Sequence, residues 1–542
     1  MSGTPNIPPP KNEPILGYLP GSPERSALKA ALGRVGAETI EIPVVVGGRD
    51  VRTGRAENVT SPHCHQRVLA RVHQADRALV GQAVDAALEA GRDWAHWRFE
   101  DRAAVFLKAA ELLATSRRQL INAATMHGQS KTVFQAEIDA ACELIDFLRY
   151  NVHFAERIYR EQPESSTGVW NRLEHRPLEG FVYAVTPFNF TAIGANIPAA
   201  PALMGNTIIW KPAPTAMLSN WYVYKLFEEA GLPPGVINFV PGDPVEVSDV
   251  LLSHHMLAGI HFTGSTAVFQ KLWQQAATNL SRYKGYPRIV GETGGKDFVV
   301  AHESADIDGV VTALIRGAFE YQGQKCSAAS RGYIPDTIWP AVRDRLVAAI
   351  GEITVGDVAD FRNFMGAVID RKSFEKIKGY VDHAKQAPGV KLLAGGGADA
   401  TVGWFVQPTV FEVEDPNYRL LCEEIFGPVL GIHVYPAKRW RETLELVDRT
   451  GPYALTGAVW ARDRGALVEA DRALRNAAGN YYVNDKPTGA IVGQQPFGGG
   501  RASGTNDKAG SILNLLRWVS PRTIKETLAP PRDWRYPYMS EP

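Results

Sequence analysis

The sequence predicts an α/β protein with two doubly wound domains. From Phe181 to Ser253, short apolar runs alternate with helical stretches, and this alternation is typical of parallel β-α-β units. A second alternating region runs from Lys296 to about Asn484. The length of 542 residues also exceeds what one hydrophobic core usually serves. We therefore expect two sheets, each covered by helices on both faces.

The chain before the first alternating region is predicted to be mainly helical. Residues 1–40 indicate an arm or a loosely packed lead-in, and three helical patterns follow between Asp76 and Arg160. In the third pattern one apolar stripe recurs at helical spacing: Ile138, Cys142, Ile145, Leu148, Val152 and Ala155. Glu143 lies off this stripe, so the pattern by itself favours a solvated position for that carboxylate.

The first alternating region supplies four strands and three helices. The predicted strands are Phe181–Val185, Thr207–Trp210, Val236–Val240 and Gly259–Phe262; the predicted helices are 193–203, 216–230 and 245–253. Parallel sheets of this kind bind nucleotides beyond the carboxyl ends of their strands. The second region has helices at 341–350 and 374–384.

Two segments outside these regions are predicted to be β. Gln162–Gly180 is mostly polar and partly alternating, which indicates an exposed hairpin. An isolated hairpin is marginally stable, so it needs a partner. Near the end of the chain, a helical piece at 513–518 precedes Pro521 and a strand at 523–527.

Composition restricts the class of function. Lys and Arg total 58, as do Asp and Glu, so there is no charge excess to draw the protein onto nucleic acid or a membrane. The four cysteines are dispersed, which favours a reducing compartment. Met1–Arg25 resembles no targeting segment, and we expect a cytoplasmic protein. His63-Cys64-His65 is spaced too tightly for a structural zinc site, so a surface loop and no metal are expected.

Cys326, in Gly323-Gln324-Lys325-Cys326-Ser327, is the candidate nucleophile. It follows a helical pattern that ends near Tyr321 and precedes a strand-like run. A cysteine in such a place can be an inert small hydrophobe. Lys325 beside it is expected to favour the thiolate. Two further motifs carry polar groups: Gly291-Glu292-Thr293-Gly294-Gly295-Lys296 and Thr186-Pro187-Phe188-Asn189-Phe190.

The stretch Phe262-Thr263-Gly264-Ser265-Thr266 is the candidate phosphate site. It places glycine and hydroxyl residues between a strand and a helix, where free backbone N–H groups meet anions. An ordinary turn with Ser265 as the helix N-cap fits the same residues, and the pattern leaves both interpretations open. Gly498-Gly499-Gly500 does not open a helix after a strand, so it is not a dinucleotide fingerprint.

In their order and spacing, the motifs around Asn189, Glu292 and Cys326 resemble the aldehyde dehydrogenase superfamily. The resemblance extends from about Glu41 to about Leu528. It implies an aldehyde-dehydrogenase-like fold with a NAD-binding domain (1–160 and 180–295), a catalytic domain (296–500) and a β oligomerisation flap (161–179 and 505–542). It also implies a homodimer, or a larger homo-oligomer built from dimers.

The same resemblance implies the catalytic and cofactor residues. Cys326 would attack the aldehyde carbon, Asn189 would stabilise the oxyanion and Glu292 would activate the hydrolytic water. NAD is the implied cofactor, and the implied cofactor-binding residues are Thr186, Pro187, Phe188, Lys211, Gly264, Ser265, Thr266, Glu424 and Phe426. Pro214 stands where many NAD-specific relatives carry an acid, so exclusion of NADP is expected to be weaker. From the sequence alone, Glu424 also fits a surface charge.

Gly489–Phe497 and Arg501–Asp507 resemble the branch of the superfamily that oxidises L-glutamate γ-semialdehyde to L-glutamate, the second step of proline degradation. The implied substrate-binding residues are Glu143, Phe190, Lys325, Ser327, Gly489, Ala490 and Phe497. Ala490 replaces a serine found in some members, which removes one hydroxyl donor to the substrate carboxylate.

Other functions remain open at this point. The substrate could be another semialdehyde or an aliphatic aldehyde. Transfer of the acyl group from the thioester to coenzyme A is disfavoured because Glu292 is available to activate water. A non-catalytic binding relative is disfavoured because Cys326 and Glu292 are both present. The length leaves no room for a flavin-binding barrel, so a separate proline dehydrogenase is the candidate partner.

Overall fold

The computed structural model describes residues 6–539. The outermost residues of the predicted 1–160 and 505–542 segments, 1–5 and 540–542, lie outside the described residues. Within 6–539, no helix is long and apolar enough to cross a membrane.

The elements are numbered in chain order. The α-helices are α1 Pro23–Ala37, α2 Arg77–Trp94, α3 Phe99–Ala114, α4 Arg118–Gln129, α5 Val133–Ala136, α6 Leu144–Arg160, α7 Thr191–Leu203, α8 Met217–Ala230, α9 Pro244–Ser253, α10 Thr266–Thr278, α11 Ile307–Phe319, α12 Trp339–Gly351, α13 Arg371–Ala384, α14 Arg419–Cys422, α15 Trp440–Arg449, α16 Arg464–Ala473 and α17 Ile512–Leu516. The strands are β1 Ile40–Ile42, β2 Val44–Val46, β3 Arg49–Val51, β4 Ala56–Ser61, β5 Cys64–His73, β6 Val169–Pro177, β7 Phe181–Val185, β8 Thr207–Lys211, β9 Ile237–Phe239, β10 Leu257–Thr263, β11 Arg288–Glu292, β12 Asp297–Ala301, β13 Ala329–Pro335, β14 Val390–Ala394, β15 Ala398–Asp399, β16 Phe405–Val406, β17 Thr409–Val413, β18 Val429–Tyr435, β19 Tyr453–Ala454, β20 Thr456–Trp460, β21 Asn480–Val483, β22 Gly500–Arg501 and β23 Val519–Thr527.

The first large sheet has the order β11-β10-β7-β8-β9-β2-β3. Strands β7 to β11 run parallel, whereas β2 pairs antiparallel with β9 and β3. All five residues of β8 are buried, because helices cover both faces of the sheet. The predicted alternation is confirmed, with β7 at the predicted bounds and the other strands within two residues of theirs.

The second large sheet has the order β14-β17-β18-β13-β12-β20-β21 and carries the chain segment that contains Cys326. Its strands are parallel except for the edge strand β14, which pairs antiparallel with β17. The predicted helices of this region correspond to α12 and α13. The prediction of two doubly wound α/β layers is therefore confirmed, while the exact domain limits stay predictions.

The hairpin predicted within 162–180 is wrong, but its expected pairing with another segment is confirmed. Only Val169–Pro177 forms a strand, and it pairs along its whole length with β23, from Val169 opposite Thr527 to Pro177 opposite Val519. Pro521 lies inside β23, although the sequence placed the strand after it. A two-stranded ribbon has only edge strands, so a missing N–H is tolerated there.

Of the predicted arm or loosely packed lead-in, residues 23–37 instead form a packed helix. Helix α1 begins at an N-cap in which the Ser22 side chain accepts a hydrogen bond from the Arg25 backbone N–H. Its buried residues Leu28 and Leu32 join the same apolar cluster as Met126 of α4. The following helical region contains more elements than predicted, because α4 and α6 are separated by α5 and a π-helical turn, Glu137–Glu143.

Candidate functional site

Cys326 lies in the loop between α11 and β13, three residues before that strand begins. The loop contains three successive residues in the left-handed region: Tyr321, Gln322 and Gly323, with φ of 50°, 55° and 63°. Left-handed backbone costs energy for residues other than glycine, so tertiary contacts must hold it. The Cys326 side chain is 8% exposed, and its Sγ donates to Glu292 Oε1 at 3.7 Å.

The surroundings of Cys326 favour the neutral thiol. Burial raises the pKa of Cys326 well above its usual range, and the carboxylates of Glu292 and Asp297 raise it further. Lys325 does not offset this effect, because its Nζ donates to Glu320 Oε2 at 3.0 Å. The expectation that Lys325 favours the thiolate is therefore wrong: the ammonium is buried and paired.

Glu292 ends strand β11 and faces the sulfur. Burial raises the pKa of Glu292 to about 7, and the hydrogen bond from Cys326 and the Lys508 ammonium oppose part of that shift. A carboxylate with a pKa near neutrality can accept a proton at physiological pH and release it again. Glu292 therefore has the position and the basicity of a general base next to Cys326.

Asn189 reaches the same place from the first sheet. It follows β7, and its Nδ2 donates to the backbone oxygen of Gln324 at 3.0 Å. That bond places a side-chain amide donor beside the cysteine loop. The structure thus brings together the three residues that the sequence predicted as catalytic, although they come from three separate motifs.

The predicted phosphate and ribose contacts lie at the carboxyl ends of adjacent parallel strands. Thr186 follows β7, Lys211 ends β8 and Gly264 follows β10, and these strands are neighbours in the order β10-β7-β8. Trp210 Nε1 donates to Thr186 Oγ1 at 3.0 Å. Ser265 is the N-cap of α10, where its side chain accepts from the Val268 N–H at 3.4 Å. This cap does not exclude a phosphate at the adjoining helix end.

Lys211 is suited to an external acceptor. Its side chain is buried, burial lowers its pKa to about 8, and its Nζ donates only to the Pro212 carbonyl, at 3.4 Å, among residues 6–539. No carboxylate lies within ion-pair distance of it in that part of the chain. A buried lysine without a counter-charge normally requires a polar ligand, and a ribose hydroxyl fits that requirement.

Glu424 and Phe426 lie in the loop between α14 and β18 and contact the loops that follow β11 and β7. Glu424 Oε1 accepts the Gly295 N–H at 3.0 Å, and partial burial raises the pKa of this carboxyl. The interpretation of Glu424 as a surface charge is therefore wrong. Phe426 has φ of 61°, and its ring lies edge-on to Phe188 with 5.7 Å between centroids. Pro187 is buried between Thr186 and Phe188.

The predicted substrate residues lie on loops that meet at Cys326. Ser327 Oγ donates to Thr488 Oγ1 at 2.8 Å, which ties the cysteine loop to the loop that begins at Gly489. Gly489 has φ of 95°, a conformation that glycine adopts without strain. Ala490 follows it and is half-buried.

Glu143 and Phe497 line a cavity of about 40 Å³ together with Glu292. That volume holds a water molecule. Burial raises the pKa of Glu143 well above its usual range, as do the neighbouring carboxylates Asp139 and Glu292. Glu143 is half-buried and lines this cavity, so it is not the solvated helix position that its pattern by itself indicated.

Sequence reasoning missed two residues of this site. Thr488 was detectable as a hydroxyl next to Gly489. Lys508 had no local signal, since only the tertiary structure brings it to the cavity that it lines with Glu292.

The His63-Cys64-His65 segment is not the surface loop that was expected. His63 is buried and hydrogen-bonds Ser61 Oγ and Ser130 Oγ, each at 3.1 Å. In the part of the chain that the structure describes, no cluster of three or more His, Cys, Asp or Glu side chains could hold a metal ion.

A model of the aldehyde dehydrogenase family matches residues 50–524. A relative from Dictyostelium discoideum named mitochondrial delta-1-pyrroline-5-carboxylate dehydrogenase is 54% identical over 540 residues, which cover 99% of this chain and 97% of the relative. The Mycobacterium tuberculosis delta-pyrroline-5-carboxylate dehydrogenase bound with NAD superposes with a TM-score of 0.97 and 54% identity, and covers 100% of both chains. Proline utilization A from Bdellovibrio bacteriovorus superposes with a TM-score of 0.91 and 30% identity, over 97% of this chain and 54% of that one.

Proposed function

The chain belongs to the aldehyde dehydrogenase family, and we propose that it oxidises L-glutamate γ-semialdehyde, formed from 1-pyrroline-5-carboxylate, to L-glutamate with NAD. The observation that carries the proposal is the contact between Cys326 Sγ and Glu292 Oε1 at 3.7 Å, with Asn189 beside them. The relatives named for this activity cover nearly the whole chain, so the substrate loops have counterparts in them.

The chemistry begins at Cys326. Its thiol proton leaves to solvent, and the sulfur attacks the aldehyde carbon to form a thiohemiacetal. The Asn189 amide and the Cys326 backbone N–H would stabilise the developing oxyanion; one such donor typically lowers a barrier by about 2.7–4 kcal/mol. Nicotinamide supplies the hydride acceptor in this reaction, and loss of hydride leaves a thioester on Cys326. Glu292 then removes a proton from water, which hydrolyses the thioester to the carboxylate.

The chain's residues fit a bound dinucleotide. The N–H groups at the start of α10 would meet the pyrophosphate, and Lys211 would donate to the adenosine ribose. Glu424 has a second carboxylate oxygen available to accept from the nicotinamide ribose, and Phe426 would contact the ring. Thr186, Pro187 and Phe188 form the wall between these groups and Asn189.

The substrate's amino-acid end would be held by the loops around Cys326. Gly489 and Ala490 would donate to the carboxylate through backbone N–H groups, and the Ser327 hydroxyl would do so after turning away from Thr488. Phe190 and Phe497 would pack on the aliphatic middle. Glu143 would meet the substrate ammonium, and Lys325, which stays paired with Glu320, would add positive charge near the substrate carboxylate.

The pH dependence of turnover is expected to follow Glu292. Its folded-state pKa is about 7, above the usual value, and the ionised form is the active base. The hydrolytic rate should therefore rise with pH, with a midpoint near 7, and level off above it. The measurement is kcat at saturating substrate from about pH 5.5 to about pH 8.5, which reports groups in the enzyme–substrate complex. A midpoint near the ordinary glutamate value would contradict this assignment.

A substrate panel tests the proposed function. NADH formation by the purified protein is compared for glutamate γ-semialdehyde, succinate semialdehyde and propanal, and each is repeated with NADP. We expect the highest kcat/KM for glutamate γ-semialdehyde, because only it offers both the carboxylate and the ammonium. NAD should be preferred over NADP. Some use of NADP is expected, because Pro214 stands where an acidic side chain would disfavour the 2′-phosphate of NADP. A preference for propanal would favour a general aldehyde dehydrogenase.

The assembly, partner and location are also part of the proposal. The β6–β23 ribbon is two-stranded and marginal alone, which supports pairing with a second copy of the chain as an oligomerisation flap. Proline utilization A spans about twice the matched region, which supports a separate proline dehydrogenase as the source of the substrate. A cytoplasmic location stays a prediction; fractionation tests it, and sedimentation measures the oligomer.

A further inference from the structure

Lys131 and Asp139 form an ion pair inside the protein. Lys131 Nζ donates to Asp139 Oδ2 at 2.6 Å, and their side chains are 1% and 0% exposed. Lys131 follows α4, and Asp139 lies in the π-helical turn that also carries Glu143. A buried ion pair contributes little net stability, because desolvation of both charges offsets their attraction. Its presence beside the site therefore calls for another explanation.

Asp139 anchors the loop that carries Asn189. Its Oδ2 accepts the Thr191 N–H at 2.9 Å, and its Oδ1 accepts the Ala192 N–H at 2.8 Å. These two residues begin α7, directly after Asn189 and Phe190. The first N–H groups of a helix have no partner within the helix, so the carboxylate both satisfies and fixes them.

Lys131 contacts both catalytic loops through aromatic rings. Its Nζ lies 4.1 Å from the centroid of Phe190 and 4.5 Å from the centroid of Tyr321. Both distances are within the range of a cation–π interaction. Phe190 is adjacent to Asn189, and Tyr321 is the first left-handed residue of the turn that leads to Cys326. One ammonium therefore bridges the asparagine loop and the cysteine loop.

The two loops belong to different sheets, yet their donors must act on one oxygen atom. Asn189 follows β7 of the first sheet, and Cys326 precedes β13 of the second. Donors to an oxyanion have to be preorganised within a few tenths of an ångström to be effective. We propose that Lys131 and Asp139 are positioning residues that hold the Asn189 amide and the Cys326 N–H in register. The inference rests on the proposed aldehyde oxidation.

Tyr321 allows a matched test that leaves the ion pair intact. Tyr321→Phe keeps the ring, and the hydroxyl that it removes has no hydrogen-bond partner within residues 6–539. Tyr321→Leu removes the ring from the ammonium while the backbone stays held by Gln322, whose Nε2 donates to Ser130 O and Ala367 O. Lys131→Met and Lys131→Arg form a second pair, in which arginine keeps the cation.

Three quantities are measured for each variant: kcat with the best aldehyde of the panel, the Kd of NAD, and the rate of alkylation of Cys326 by iodoacetamide. Alkylation uses the sulfur but forms no oxyanion. We expect Tyr321→Leu to lower kcat roughly 10-fold to 100-fold, with the Kd of NAD and the alkylation rate within about twofold of the parent. Tyr321→Phe should match the parent, and Lys131→Arg should recover part of the activity lost in Lys131→Met.

The inference is overturned by parent-like kcat in Tyr321→Leu, by an equal loss in Tyr321→Phe, or by a parallel loss of alkylation, which would indicate general disruption of the loop. If Lys131→Met does not fold, the comparison of Tyr321→Leu with Tyr321→Phe decides the inference. Failure of the proposed function is a separate result, because it is seen as the absence of aldehyde oxidation in the parent protein itself.

Discussion

Cys326→Ala is expected to lower aldehyde oxidation by at least roughly 10⁴-fold, because it removes the atom that becomes covalently bound to the substrate. The change should leave the fold intact, since a small and nearly buried side chain becomes slightly smaller. The proposed dinucleotide contacts come from β7, β8, α10 and the Glu424 loop, so the affinity for NAD should be retained. Steady-state NADH formation and NAD titration measure the two effects separately.

Cys64→Ala is the matched control for this prediction. Cys64 begins β5, is half-buried and lies in another sheet, so its loss should leave kcat unchanged. Wild-type turnover by Cys326→Ala would remove the covalent mechanism. Loss of NAD binding together with activity would instead indicate that the substitution damages the cleft.

The second large effect is expected from Glu292→Gln. Glutamine keeps the size and shape of the side chain, but a neutral amide cannot take a proton from water. The steady-state rate should fall by about 10²–10⁴-fold, which is the usual contribution of a general base. The thioester forms before this step, so one equivalent of NADH should appear in a rapid burst. Intact-protein mass spectrometry should then find the acyl group on the enzyme.

Glu423→Gln controls for the loss of a carboxylate nearby, because Glu423 is exposed and pairs with Arg419 at 2.9 Å. It should retain wild-type kinetics. If the Glu292→Gln burst is also lost, Glu292 acts mainly in deprotonating the thiol rather than the water. Unimpaired turnover in this variant would assign the base to another group.

The local patterns predicted the elements around the site well. Phe181–Val185 was predicted at its observed bounds, because a continuous apolar run buried on both faces is bounded by Gly180 and Pro187. Ser265 was recognisable as an N-cap because its hydroxyl satisfies a helix N–H only three residues away. Such features depend on neighbours in the chain, so the sequence contains them.

Glu143 and Lys325 show where local patterns fail. Glu143 lies off an apolar stripe, which predicts a solvated position, but its side chain lines the cavity that Glu292 also lines. The sequence predicts Lys325 as a free charge next to the thiol, but in the folded chain its ammonium pairs with Glu320. In both cases the deciding contacts depend on how the folded chain packs around the side chain, which residue spacing does not record.

By itself, the sequence determined the two α/β layers, the motifs that carry Asn189, Glu292 and Cys326, and their resemblance to one superfamily. Only the tertiary structure decided the register in which β6 pairs with β23, that Glu292 has a pKa near neutrality, and that Lys131 contacts both catalytic loops. The physical reason is range. Hydrophobic periodicity and capping act over a few residues, whereas strand partners, desolvation and cation–π contacts depend on segments far apart in the chain.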